Sequence, residues 1–136
     1  MIYFDNAATT KNKPAEVIDA VVNAMKNFGN SSRGVHEESL SADRIVFETR
    51  KKLAKMFNVG NSRQVVFTKN ATESLNIAIN GLFLENDHII TSVSEHNSVL
   101  RPLHYLKEKG VEVSYIGVSE KGVLNFEEIP SLIKAN

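Results

Sequence analysis

Apolar residues recur at two different spacings along this chain, and the switches between them divide it into elements. Val17, Ile18, Val21, Val22, Met25 and Phe28 sit at intervals that place them on one helical face. Pro14 suits the first turn of that helix, because its missing N–H would have no partner there anyway, and Gly29-Asn30 stops the run. A helix is therefore predicted over 14–28. Leu40, Ile45, Val46, Thr49, Leu53, Met56 and Phe57 predict a second, longer helix that stops at Asn58-Val59-Gly60. Its outer face is charged, with Glu48 four residues before Lys52.

The period then shortens. Gln64-Val65-Val66-Phe67-Thr68 is β-branched and aromatic, which predicts a strand. Leu75, Ala78, Ile79, Leu82 and Phe83 mark a third helix, Glu85-Asn86-Asp87 a turn, and His88 to Ser92 a second strand. Val99, Leu100, Leu103 and Leu106 predict a helix from about Asn97 to a stop at Gly110, with Pro102 in its first turns. Val111 to Val118 alternates as a third strand, and Phe126 to Lys134 is read as a last helix. Helices alternating with strands make the chain α/β, with strands in parallel through right-handed crossovers.

Charge and composition narrow the class. Sixteen basic side chains cancel sixteen acidic ones in 136 residues, so no basic excess exists to meet nucleic acid or an anionic membrane surface. No cysteine is present, which removes a disulfide framework, a thiolate metal site and a cysteine nucleophile from this chain. That composition suits a reducing cytoplasm, the expected location. The apolar stretch from Leu75 to Leu84 is broken by Asn76, Asn80 and Gly81 and falls short of the ~20 residues of a membrane span. Met1 to Asn6 carries no basic region followed by an apolar core, so no signal peptide is expected.

Four segments hold the candidate chemistry. Where strand 64–68 gives way to the next helix, Asn70, Ala71, Thr72 and Ser74 are small or hydroxylic, so backbone N–H groups at a helix start can approach an anion, with the Thr and Ser hydroxyls as added donors. The same residues also make an ordinary cap, in which Asn70 or Thr72 satisfies free amides and Glu73 meets the dipole. Ser94-Glu95-His96-Asn97-Ser98 follows the carboxyl end of the second strand, where ligands of α/β sheets gather. His96 is there either a functional ring or a solvated loop residue, and with no second ligand at metal spacing no metal is expected. Tyr3-Phe4-Asp5-Asn6-Ala7-Ala8-Thr9-Thr10 and the loop Asn30-Ser31-Ser32-Arg33-Gly34-Val35-His36 complete the set. The first is otherwise a frayed terminus; in the second Arg33 can hold a carboxylate or phosphate, with a solvated linker as the commoner reading. His88 and His104 are assigned to structure.

In order and spacing these segments, with Val66-Phe67-Thr68-Lys69-Asn70-Ala71-Thr72-Glu73-Ser74-Leu75-Asn76 at the centre, resemble the class V aminotransferase family, and within it the cysteine desulfurases. The resemblance runs from residue 2 to about residue 118. It implies the amino-terminal part of a three-layer α/β/α, fold type I large domain that depends on pyridoxal 5'-phosphate, with mainly parallel strands and an incomplete sheet. Residues 1–13 would be an extended segment near the active site and 14–136 an incomplete portion of the cofactor-binding domain. In that family the first strand is separated from the next two by strands contributed later, so strand 64–68 is expected to lack both neighbours, and the piece to be marginal, oligomeric or rearranged.

The resemblance also carries roles. Ala71 and Thr72 would hold the cofactor phosphate. His96 would stack on its ring and move protons. Asn6, Ala7 and Ala8 would lie near the amino acid substrate, with Arg33 and His36 on a loop approaching the site. The family's cofactor lysine usually follows Ser or His, and none of the eleven lysines here does. The ring-nitrogen Asp, the carboxylate-binding Arg and the sulfur-accepting Cys of the family are likewise beyond this chain. The implied parent activity removes sulfur from L-cysteine, giving alanine and an enzyme persulfide that feeds iron-sulfur or thio-cofactor assembly. A homodimer and a sulfur-acceptor protein are the implied partners, and the piece alone is expected to be inactive. Another class V reaction, selenocysteine cleavage, or a silent binding and dimerisation module are the rival expectations.

Overall fold

A computed structural model describes residues 2–31 and 34–134. They belong to two compact units, Met1–Val66 and Phe67–Asn136.

In the first unit α1 spans Ala15–Asn27 and α2 spans Glu37–Met56, followed by a 3-10 turn at Ser62–Gln64. Pro14 precedes α1 with φ −54, and the Phe28 amide closes its far end on Ala24 O at 3.1 Å. The expected stripe is present on α1, yet Val17, Ile18, Val21, Val22 and Met25 are all exposed. On α2 only the small residues Ser39, Ala42 and Ala54 are buried. Gly34 passes so close to Ser39 that a Cβ there would collide with its side chain. Asn58 ends α2 in the left-handed region at φ 54, which lets the Val59 amide turn back onto Ala54 O at 2.7 Å.

The second unit runs α3 (Ala71–Leu82), β1 (His88–Ser92), α4 (Asn97–Glu108), β2 (Glu112–Ile116) and α5 (Ile129–Leu132). β1 and β2 pair in parallel, His88 against Glu112 through Ser92 against Ile116. Ile79 of α3, Ile89 of β1, Leu103 and Leu106 of α4, and Val111 and Val113 form one buried cluster flanked by Leu75, Phe83 and Val99. Gly110, at φ 90, breaks α4 and takes the Asn86 amide on its carbonyl, while Glu112 N reaches Asp87 O at 2.9 Å, so both strands start in register. His88 Nε2 meets Ser114 Oγ across the pair at 2.8 Å, and His104 lies 3.6 Å from Glu108 on an exposed face, which matches their structural assignment.

Two expected elements differ. Gln64 belongs to the 3-10 turn, Val65 is extended, and 65–68 has no ladder partner among the described residues. A strand is defined by its neighbour, and the sheet of the described residues is two-stranded, β1 with β2. The tail over 126–134 is a 3-10 turn at Phe126–Glu128 leading into the single turn of α5. Glu128 there anchors the chain by accepting Gly117 N at 3.0 Å and Asn125 Nδ2 at 2.9 Å.

Candidate functional site

A helix start leaves four backbone amides without intrahelical acceptors. At α3 the sequence satisfies only some of them. Asn70, in extended conformation, accepts the Glu73 amide on Oδ1 at 2.9 Å, and its carbonyl takes Ser74 N at 3.2 Å. The Glu73 carboxylate reaches back to Lys69 N at 2.6 Å. The amides of Ala71 and Thr72 have no acceptor among the described residues. The capping that the sequence allows is thus observed at Glu73 and Ser74, next to two amides that remain uncapped.

The hydroxyls are divided in the same way. Thr68 Oγ1 spends its proton on Asn70 O at 3.0 Å, so the 2.5 Å contact with Ser74 Oγ must use the serine proton. Ser74 is thereby withdrawn as an outward donor. The Thr72 hydroxyl makes no bond among the described residues, and Thr72 is exposed.

His96 is the N-cap of α4, just beyond the carboxyl end of β1. Its turn is pinned from below: buried Ser92 donates to Glu95 Oε1 at 3.0 Å and accepts Ser94 N at 3.3 Å. The ring accepts Ser98 N on Nδ1 at 3.1 Å, with Ser98 Oγ 2.8 Å from the same nitrogen. Nε2 has no partner among the described residues.

Thr72 and His96 line one open cavity of about 460 Å³, together with Asn76, Asn97, Ser98 and Arg101. No carboxylate is in that lining, whereas the first turns of two helices and a guanidinium are, so the potential inside favours an anion. The uncapped Thr72 amide, its hydroxyl and the Arg101 guanidinium in this lining, with the uncapped Ala71 amide one residue before, suit a phosphate monoester, and the imidazole supplies a flat surface in the same lining. No lysine is in the lining. A larger groove of about 1170 Å³, bounded by Asn80, Phe83, Glu85, Tyr105 and Lys109, shares Asn76 and Arg101 but reaches neither Thr72 nor His96, so the smaller cavity is the better candidate.

The remaining candidates lie in the first unit. Asn6, Ala7 and Ala8 form an exposed turn in which Asn6 donates to Tyr3 O at 3.2 Å and accepts Lys11 N at 3.2 Å, and Ala8 N reaches Asp5 O at 3.2 Å. His36 starts α2 through its carbonyl, which accepts Ser39 N and Leu40 N, while its ring makes no capping bond and is exposed. Arg33 lies outside the described residues.

Asn76 and Arg101 were not anticipated as site residues. Thr72 with Asn76, and Asn97 with Arg101, are i,i+4 pairs whose shared helical faces were available from spacing alone. Among the described residues no cluster of His, Cys, Asp and Glu is suited to a metal, and no helix is long and apolar enough to cross a membrane.

Comparison with known proteins places these features in context. A family model described as Aminotransferase class-V matches residues 2–136. The chain is 37% identical to Cysteine desulfurase IscS 1 of Archaeoglobus fulgidus, covering 98% of the chain and 36% of that protein. Cysteine desulfurase IscS of Rickettsia akari is 35% identical, with 97% of the chain and 33% of that protein covered. The solved apo structure of a cysteine desulfurase from Thermococcus onnurineus NA1 superposes with a TM-score of 0.83 at 34% identity, over 98% of this chain and 34% of that one. The chain therefore spans about a third of the length of the relatives it matches.

Proposed function

Since this chain belongs to the class V aminotransferase family, whose members depend on pyridoxal 5'-phosphate, we propose that it supplies the phosphate cradle and one ring face of a cysteine desulfurase. The observation that carries the reading is the pair of open amides at Ala71 and Thr72, left free while the amides of Glu73 and Ser74 beside them are capped.

When bound, the cofactor supplies an electron sink that draws charge from the reacting carbon of an amino acid. The residues of this chain bind and orient. Ala71 N, Thr72 N and the Thr72 hydroxyl hold the phosphate. His96 covers one face of the ring. Asn6, Ala7, Ala8, Arg33 and His36 are the residues assigned to the amino acid substrate. The parent reaction converts L-cysteine to L-alanine and leaves the sulfur as a persulfide on the enzyme, from which an acceptor protein draws it for iron-sulfur or thio-cofactor assembly. The enzyme works as a cytoplasmic homodimer, and these 136 residues alone are inactive because the cofactor lysine belongs to the remainder of the enzyme.

Full-length enzyme supplied with L-cysteine and a thiol reductant, which reduces the persulfide, tests this by release of alanine and sulfide in equal amounts. Keto-acid formation without sulfide would identify a transaminase instead, and turnover of selenocysteine alone a selenocysteine lyase. Retention of the cofactor without turnover of any of these would identify a silent binding module.

A further inference from the structure

Arg101 brings a guanidinium to the cavity of Thr72 without a counter-charge of its own. It lines that cavity with Thr72, Asn76 and His96, and no carboxylate does. Among the described residues the ion pairs of the second unit join His104 to Glu108 and Lys134 to Glu112, and neither takes in Arg101. Glu85 and Glu108 share the larger groove with Arg101 but form no ion pair with it. Helical side chains lean toward the amino end of their helix, so the long stem of Arg101 covers the turn before it, which begins at Asn97 beside the His96 cap. The charge is carried back toward the end of α4 that shares the cavity with Thr72.

The charge of a phosphate ester shows what this adds. Such a group is largely a dianion at neutral pH, since its second proton leaves near pH ~6. The uncapped amides of Ala71 and Thr72 and the Thr72 hydroxyl are neutral donors, and a helix start contributes only about half a positive charge. Counting the starts of both α3 and α4, roughly one negative charge is left unbalanced. No lysine is in the lining, so Arg101 is left to meet it, and a planar fork can bridge two oxygens of one ester.

We propose that Arg101 is a phosphate-binding residue that holds the ester as its dianion and makes the site selective for pyridoxal 5'-phosphate over unphosphorylated pyridoxal. This inference rests on the cofactor reading for the identity of the ester, whereas the anion preference of Arg101 is a property of the chain itself.

The test is the ³¹P resonance of the cofactor in full-length holoenzyme, followed from about pH 5 to about pH 8 across the second ionisation. In wild type its position should stay constant. In Arg101→Gln, which keeps a polar stem and drops the charge, it should titrate within that range, and the cofactor should dissociate about tenfold faster or more. Arg101→Lys, which keeps the charge without the fork, should hold the position constant and dissociate at an intermediate rate. Affinity for pyridoxal should be equal in wild type and Arg101→Gln. A ³¹P position that titrates in wild type overturns the proposal, as does an Arg101→Gln enzyme that matches wild type in both readings. Parallel loss of pyridoxal and pyridoxal 5'-phosphate binding assigns Arg101 to the fold and overturns it too. Weaker saturation by L-cysteine with cofactor retention unchanged gives Arg101 to the substrate carboxylate, again against the proposal. Inorganic phosphate added to the apoenzyme separates the two claims: binding that Arg101→Gln weakens, in a wild type that takes up no pyridoxal 5'-phosphate, upholds the anion role and removes the proposed function.

Discussion

Asn70 and Glu73 meet across the first turn of α3, the asparagine oxygen 2.9 Å from the glutamate amide, while the glutamate carboxylate reaches past its partner to Lys69 N at 2.6 Å. The pair ties down both sides of the helix start and leaves Ala71 N and Thr72 N without an acceptor among the described residues. Capping and the proposed ligand binding then fall on different residues, which makes them separable by mutation.

Asn70→Ala should cost roughly 1 kcal/mol of stability, the usual effect of losing an N-cap oxygen, and Asn70→Asp should restore it. Thr72→Ala should leave stability within about 0.5 kcal/mol, as for surface changes away from such features, and should instead weaken retention of pyridoxal 5'-phosphate. Denaturant unfolding and cofactor dissociation, measured on both variants of the full-length enzyme, check the division. A Thr72→Ala variant that is destabilised but retains cofactor normally would reassign Thr72 to the cap.

Leu103 is 1% exposed at the centre of the cluster formed by α3, α4 and the two strands. Leu103→Ala should destabilise by roughly 2–5 kcal/mol, read as a lowered denaturation midpoint. A loss below about 1 kcal/mol, smaller than a buried methylene or two is worth, would mean that the cluster is not the folding core of the second unit.

Glu128 titrates below the ordinary carboxylate value of 4.5, first because Gly117 N–H donates to its charged form and second because Asn125 does. A depressed folded value means that its contribution is present above 4.5 and lost as pH falls through the lower folded value. The stability gap between wild type and Glu128→Gln should therefore be constant near neutrality and close below pH 4.5. A gap that widens in acid contradicts the assignment.

Both outer edges of the β1–β2 pair lack partners among the described residues, and α1 exposes Val17, Ile18, Val21, Val22 and Met25. Open edges and uncovered apolar faces pair with other chains. Sedimentation of the 136-residue chain should accordingly show concentration-dependent association, and a compact monomer across the accessible range would contradict this.

Elements governed by local spacing were legible before the structure. The stripes of α1 to α4 and the alternation of β2 depend on neighbours three, four or two positions away, and their bounds agree with the periodicity within a few residues. The segment 64–68 has strand composition, but a ladder is a relation to a distant segment, and composition cannot supply the partner. Thr72 and His96 were named from motif order, and both line one cavity. The diversion of Ser74 to Thr68 was not, because it depends on which proton each hydroxyl spends. Arg101 was hidden for a different reason: an isolated arginine on a helix reads as a solvated charge until another helix brings Thr72 to the same cavity.

The central claim, that the open amides of α3 hold the cofactor phosphate, is tested most directly by the backbone amide resonances of Ala71 and Thr72 in full-length enzyme with and without pyridoxal 5'-phosphate. Both should move strongly downfield as the cofactor binds, while Glu73, whose amide is already occupied by Asn70, moves little. Bound cofactor with Ala71 and Thr72 unmoved would contradict the account.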